Sequence, residues 1–182
     1  FDDTGAGDNR ILANDVSAIG RGELSDMGGI YTLGAQPGST MEGNRVRDVR
    51  SRGYGGWGIY LDEGSSGWTV RRNVVRDTNL APFHIHYGRD NVIEENLFVA
   101  SGGQSVIERV RDDKQGPILF RRNLFVREKS ETPTVSPNWL RRDVRLVDNV
   151  YSPAGPLPWG DEGGRFGTTP PFPLPTRFGP TR

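Results

Sequence analysis

The carboxylates of Asp62 and Glu63 stand side by side at the end of "GIYLD", inside the glycine-bracketed run "GGWGIYLDEGSSG" from Gly55 to Gly67. An earlier partial copy, "DMGGIYTLG", carries Asp26 ahead of its strand rather than after it. His84 and His86 flank one isoleucine in "HIHYG", and Glu108 follows Ile107 in "VIERV". Paired carboxylates suit acid–base work: one protonates a leaving oxygen, the other attacks or activates water. Asp26, Asp62 and Glu63 are the acids that raise this possibility. Tyr31, Trp57, Tyr60, His84, His86 and Glu108 offer rings and polar groups that could hold a hydroxyl-rich ligand. Each feature also has a plain reading, since Asp-Glu-Gly after a strand is an ordinary solvated turn.

These residues matter together only if some element brings them to one face. The strands around Ile30, Ile59, Ile85 and Ile107 supply one. If the isoleucines point inward, their neighbours point outward. Tyr31, Tyr60, His86 and Glu108 then form one outward column. Asp62 lies two residues beyond Tyr60 and His84 two before His86, on the same face. Diagonal neighbours on adjacent strands are about 7–8 Å apart, so Asp62 and His86 are expected at water-bridging range. Gly29 and Gly58 are expected to leave room beside this face.

A second motif alternates with the first. An apolar residue, two spacers, Asn, any residue and another apolar residue recur as "ILANDV", "MEGNRV", "VRRNVV", "IEENLF", "FRRNLF" and "LVDNVY". The asparagines are Asn14, Asn44, Asn73, Asn96, Asn123 and Asn149. The flanking apolar positions are five apart, so a straight strand would put them on opposite faces. A bend near the Asn restores both to one interior, and Asn tolerates left-handed backbone. Stacked asparagines could bond to each other. Two strand types per repeat, each too small to bury a core alone, predict an all-β, right-handed parallel β-helix of about six coils over residues 1–152. Gly20–Ser25, Asp77–Pro82 and Glu128–Asn138 are expected as loops leaving the stack. Residues 153–182, rich in Pro and Gly, read as a tail or linker, which Trp159 and Phe166 could pack over the last coil. A propeller or sandwich is the competing architecture. Helical spacing is absent, and the dense leucines of a leucine-rich repeat are missing.

The 182 residues carry 23 basic and 23 acidic side chains. That balance gives no electrostatic case for nucleic acid or an anionic membrane. The arginines of "VRRN", "FRRN" and "LRRD" interleave with acids and read as a solvated face. No apolar run approaches the roughly 18 residues needed to span a bilayer. There is no cysteine, hence no disulfide or thiolate metal site. The chain starts at Phe1 and reads as a fragment or processed chain, a monomer or part of a longer chain. "GAGDNR" at Gly5 lacks the setting of a phosphate-binding loop.

In the order "DMGGIYTLG", "GGWGIYLDEGSSG", "FHIHYGRDNVIEENLF", residues 9 to 151 resemble bacterial right-handed β-helix proteins related to glycoside hydrolase family 141. The resemblance implies activity on plant cell-wall glycans, of the α-L-fucosidase or xylanase kind, an extracellular or periplasmic setting, and no cofactor. It also implies a catalytic pair of aspartates, carried here to Asp26 and Asp62. On straight strands these lie about 20 Å apart, whereas a glycosidase pair needs roughly 5–9.5 Å. A fold-back at Gly28–Gly29 is therefore expected; otherwise Asp62 or Glu63 pairs with His86 or Glu108. Two alternatives share the fold. A polysaccharide lyase would use Asp62, Glu63 and Asp90 for Ca²⁺ with Arg89 as base. A non-catalytic solenoid would bind carbohydrate without turnover.

Overall fold

The computed structural model describes residues 5–102, 104–109, 116–129, 131, 133–136, 143–155 and 160–173. Among these residues, seventeen short strands stack in parallel into three sheets. Sheet I orders β1 (Arg10–Leu12), β4 (Ala35–Glu42), β7 (Ser66–Arg71), β10 (Asn91–Glu94), β13 (Ile118–Arg121) and β15 (Val144–Val147). Sheet II orders β2 (Asp15–Val16), β5 (Arg45–Val46), β8 (Val74–Val75), β11 (Leu97–Ala100), β14 (Leu124–Arg127), β16 (Val150–Ser152) and β17 (Arg165–Phe166). Sheet III orders β3 (Gly28–Thr32), β6 (Trp57–Leu61), β9 (Phe83–Ile85) and β12 (Ile107–Arg109). From β3 to β14 the chain visits III, I and II in sequence, and the six strands of sheet I define about five turns. The result is the expected parallel β-solenoid. Among the described residues no helix is long and apolar enough to cross a membrane.

The interior is one continuous cluster. Met41, Val70, Ile93, Phe120 and Leu146 from sheet I meet Val46, Val75, Phe98, Phe125 and Tyr151 from sheet II. Ile59, Leu61, Phe83, Ile85 and Ile107 close the third side. The apolar positions of the Asn motif thus both point inward, because the chain bends between them. The left-handed residue at that bend is the one before each Asn, not the Asn itself: Ala13, Gly43, Arg72, Glu95, Arg122 and Asp148 all have positive φ.

The asparagines have a different task. From Asn44 onward each Oδ1 accepts from the backbone N–H and the Nδ2 of the Asn one coil earlier, at 2.9–3.0 Å. Each Nδ2 from Asn44 onward also donates to a strand carbonyl of the preceding coil, such as Asn96 to Val70 at 2.9 Å. Buried polar groups cost little when satisfied this fully. At the far end Asp161 takes the place of a further Asn, accepting from Asn149 Nδ2 (2.8 Å) and the Tyr151 hydroxyl (2.6 Å). Residues 160–173 therefore extend the stack: β17 pairs with β16, and Phe172 packs on Leu124 and Val150. Phe166 is half-exposed, and Trp159 lies outside the described residues.

Two of the three expected loops stay on the body. Gly20–Ser25 is an exposed turn. Within 77–82, however, Leu80 and Ala81 pack on Trp57 and Tyr60, because those rings bury apolar surface on the outside of sheet III. In the part of 128–138 that is described, Val135 bridges to Ile107 and enters the core. The arginines flanking the Asn motif pair across coils: Arg71 with Glu42 (2.7 Å), Arg121 with Glu94 (2.6 Å), and Arg72 with Glu42 and Glu95 (3.2 and 3.0 Å). These half-exposed pairs add little individually. Arg141 and Arg142 of "LRRD" lie outside the described residues.

Gly29 and Gly58 do not open a groove. A Cβ on Gly58 would meet Val75 Cγ1 at 2.2 Å and the Pro82 carbonyl oxygen at 2.4 Å; one on Gly29 would meet Val46 Cγ1 at 2.4 Å. Both glycines face inward and let sheet III close on sheet II. Because Gly58 and Ile59 both face the core, Trp57 and Tyr60 share the outer face although three residues separate them. Gly58→Ala is expected to cost at least about 2 kcal/mol, the range for overpacking, read as a lowered midpoint in urea unfolding.

Candidate functional site

The outer face of sheet III gathers most of the residues singled out from the sequence. Its register differs from the expected one. Ile30 and Ile59 pair, but Ile59 then pairs with Phe83, and Phe83 with Ile107. The column is therefore Tyr31, Tyr60, His84 and Glu108, with His86 one step along beside Asp62. Phe83 fills the inward position assigned to Ile85 because an aromatic there packs against Phe98 and Phe120. The slip is two residues, so the parity of the strand is kept and both histidines remain outward.

That slip turns an expected water bridge into direct contact. Asp62 Oδ1 lies 2.9 Å from His86 Nδ1 and accepts from the Tyr60 hydroxyl at 2.9 Å, while Oδ2 accepts from the Tyr31 hydroxyl. Three donors from three successive coils thus converge on one carboxylate, itself only 7% exposed. Burial pushes the Asp62 carboxyl up, but the bonds from Tyr31, His86 and Tyr60 outweigh it and hold it below the usual carboxylate value. The same anion, after burial, raises the phenols of Tyr31 and Tyr60, so both stay protonated as donors.

Glu63 follows in the Asp62–Ser65 turn, more exposed than Asp62, with Oε1 4.0 Å from the same His86 nitrogen. The two carboxylates thus share one imidazole nitrogen as a neighbour. Glu108 forms a second centre. Its Oε2 accepts from the Trp57 indole N–H at 2.6 Å and lies 3.4 Å from His84 Nδ1. Burial raises Glu108, and the neighbouring His84 and Trp57 more than reverse it, so it too is an anion. Two strand spacings and two residues place the Asp62 and Glu108 backbones about 12 Å apart. Trp57 stacks on His84 at 4.1 Å. His84 is wholly buried, which lowers its pKa, and Glu108 is the acid beside its Nδ1.

Trp57, Tyr60 and His84 therefore lie beneath the surface and brace it; Tyr31, His86, Glu63 and Glu108 reach solvent. Tyr54, which the sequence reading passed over, joins this rim: half-exposed, it packs edge-on to Trp57 with centroids 5.0 Å apart. It sits in the glycine-rich "GYGGWG", outside any repeat that would assign it a position.

Asp26 reaches the same rim by a route other than the expected one. Gly28 and Gly29 are ordinary strand residues of β3, and the left-handed turn is at Asp26 itself, with φ 50°. Its backbone N–H donates to the Tyr54 carbonyl at 2.7 Å, and its charge adds to the rise of Tyr31, Tyr54 and Tyr60. Asp90, by contrast, sits on the turn before β10, 4.0 Å from Arg89. Among the described residues no group of three or more acids and histidines is placed to hold a metal ion.

Fold and face together define a parallel β-solenoid with an acidic, aromatic outer strip spanning four coils. No family model matches the chain, and neither do the curated proteins or the solved structures with which it was compared.

Proposed function

We propose that this strip binds an extended glycan and hydrolyses a glycosidic bond at Asp62. The observation that carries the reading is the convergence of Tyr31, Tyr60 and His86 on that one carboxylate. A carboxylate so clamped is ionised and fixed in direction, which suits attack on an anomeric carbon or activation of water, not proton donation. In this reading Glu63, across His86 and open to solvent, protonates the leaving oxygen, with Asp26 on the Tyr54 rim as the other candidate. Tyr31 and Tyr54 present ring faces and edges to sugar, and Glu108 accepts hydroxyls. The resemblance of the "GIY" and "HIHYG" strands to glycoside hydrolase family 141 points to plant cell-wall polysaccharides as the substrate class and to a secreted setting. Incubation with such glycans should release reducing ends, unaffected by EDTA. An unsaturated uronide product that requires calcium would instead support a lyase.

The clamp sets a pH dependence. Asp62 acts as an anion, so activity is lost as pH falls through its lowered pKa. Tyr31→Phe removes one donor, raises that pKa toward the ordinary carboxylate value near 4, and should move the acid limb of the pH–rate profile to higher pH. An unmoved limb would mean that another group sets it.

A further inference from the structure

A cavity of about 460 Å³ opens beside Tyr31, where the corner between sheets III and I meets the first coil. Its lining includes Asn9, Arg10, Gln36, Tyr31 and Trp68, and no carboxylate among the described residues. Arg10 is exposed on β1, with neither a hydrogen bond nor an acid partner among the described residues, whereas most arginines of sheet I pair across coils. The amides beside it are already fixed. Asn9 Nδ2 donates to Gln36 Oε1 at 3.0 Å, and Gln36 Nε2 donates to the Leu33 carbonyl at 2.8 Å. The indole N–H of Trp68 is buried there without an acceptor among the described residues. Tyr31 is the wall shared with the Asp62 centre, since its hydroxyl bonds Asp62.

A glycan lying along the strip from Glu108 past Asp62 runs directly over Tyr31 into this cavity, because strand spacing of about 4.8 Å approximates one sugar ring. A guanidinium with no acid among the described lining residues selects an anion, and its fork matches a carboxylate. We infer that the cavity is a subsite for a uronic-acid residue of the bound glycan, with Arg10 pairing its carboxylate and Tyr31 packing on its ring. This rests on the glycan reading of the sheet III face and adds to it the charge of the substrate.

Calorimetric binding of oligogalacturonate, its methyl ester, glucuronic-acid-bearing xylo-oligosaccharide and the unsubstituted xylo-oligosaccharide tests the assignment. The wild-type protein should bind an acidic ligand at least about tenfold more tightly than its neutral counterpart, the scale of one charge-assisted bond. Arg10→Gln should erase that preference while leaving neutral-ligand affinity and thermal midpoint unchanged, and Arg10→Lys should restore part of it. Preference for galacturonate alone or glucuronate alone would name the source of the carboxylate and support the subsite. Equal binding of acidic and neutral ligands, unaltered by Arg10→Gln, would overturn the subsite and leave the glycan face standing. No binding of any of them would overturn both.

Discussion

Asp62→Asn should abolish turnover, lowering kcat by roughly a thousandfold, the middle of the range for losing one acid–base group. The substitution keeps shape and volume, and its one remaining carbonyl oxygen can still accept from a tyrosine. It removes the charge that His86 and the two phenols are arranged around. Ligand affinity should fall far less than kcat, because binding is spread over the strip from Tyr31 to Glu108. Glu63→Gln is the informative companion. If Glu63 is the proton donor, its loss spares substrates with a good leaving group, such as aryl glycosides, and cripples natural linkages. Near-normal activity in Asp62→Asn would remove this residue from the mechanism.

The largest stability effect is expected inside the ladder. Asn96 is wholly buried, and its Oδ1 accepts both the N–H and the Nδ2 of Asn73. Its own Nδ2 bonds Asn123 Oδ1 and the Val70 carbonyl. Asn96→Ala strands several of these groups in a dry interior at about 1–3 kcal/mol each. A total near 4 kcal/mol is a large share of the 5–15 kcal/mol that holds a domain. At roughly 2–4 °C per kcal/mol for a chain of this size, the thermal midpoint should drop by about 10 °C. Asn14→Ala, at the exposed first rung, loses bonds that water can replace and should cost about 1 kcal/mol at most. Equal costs at the two positions would contradict a ladder stabilised by burial.

The fold was legible because repetition needs no tertiary knowledge. Six Asn motifs and a recurrent "GIY"-like strand sufficed for a stack, since one coil must repeat the solution of the last. The register of sheet III was not legible. "HIHYG" offers Ile85 as the match for Ile59, but the core takes Phe83 there, and only packing against Phe98 and Phe120 decides between them. Parity survived the slip, which is why the right face was found with the wrong partner in its column. The glycines misled for a related reason. Gly29 and Gly58 look like space beside a site, yet their missing Cβ atoms are what let Val46 and Val75 approach. Aromatic identity also did not reveal depth: Tyr31 and Tyr60 occupy equivalent strand positions, but one is 42% exposed and the other 2%. Leu80 and Ala81, arriving from a segment expected to leave the stack, help cover Tyr60.

The most direct test is mass spectrometry of products formed from cell-wall oligosaccharides in heavy-oxygen water, with wild-type protein and Asp62→Asn side by side. Hydrolysis at Asp62 predicts fragments carrying one heavy oxygen with the wild type and intact substrate with the variant. Unlabelled unsaturated fragments, or glycan bound equally by both proteins and never cleaved, would contradict it.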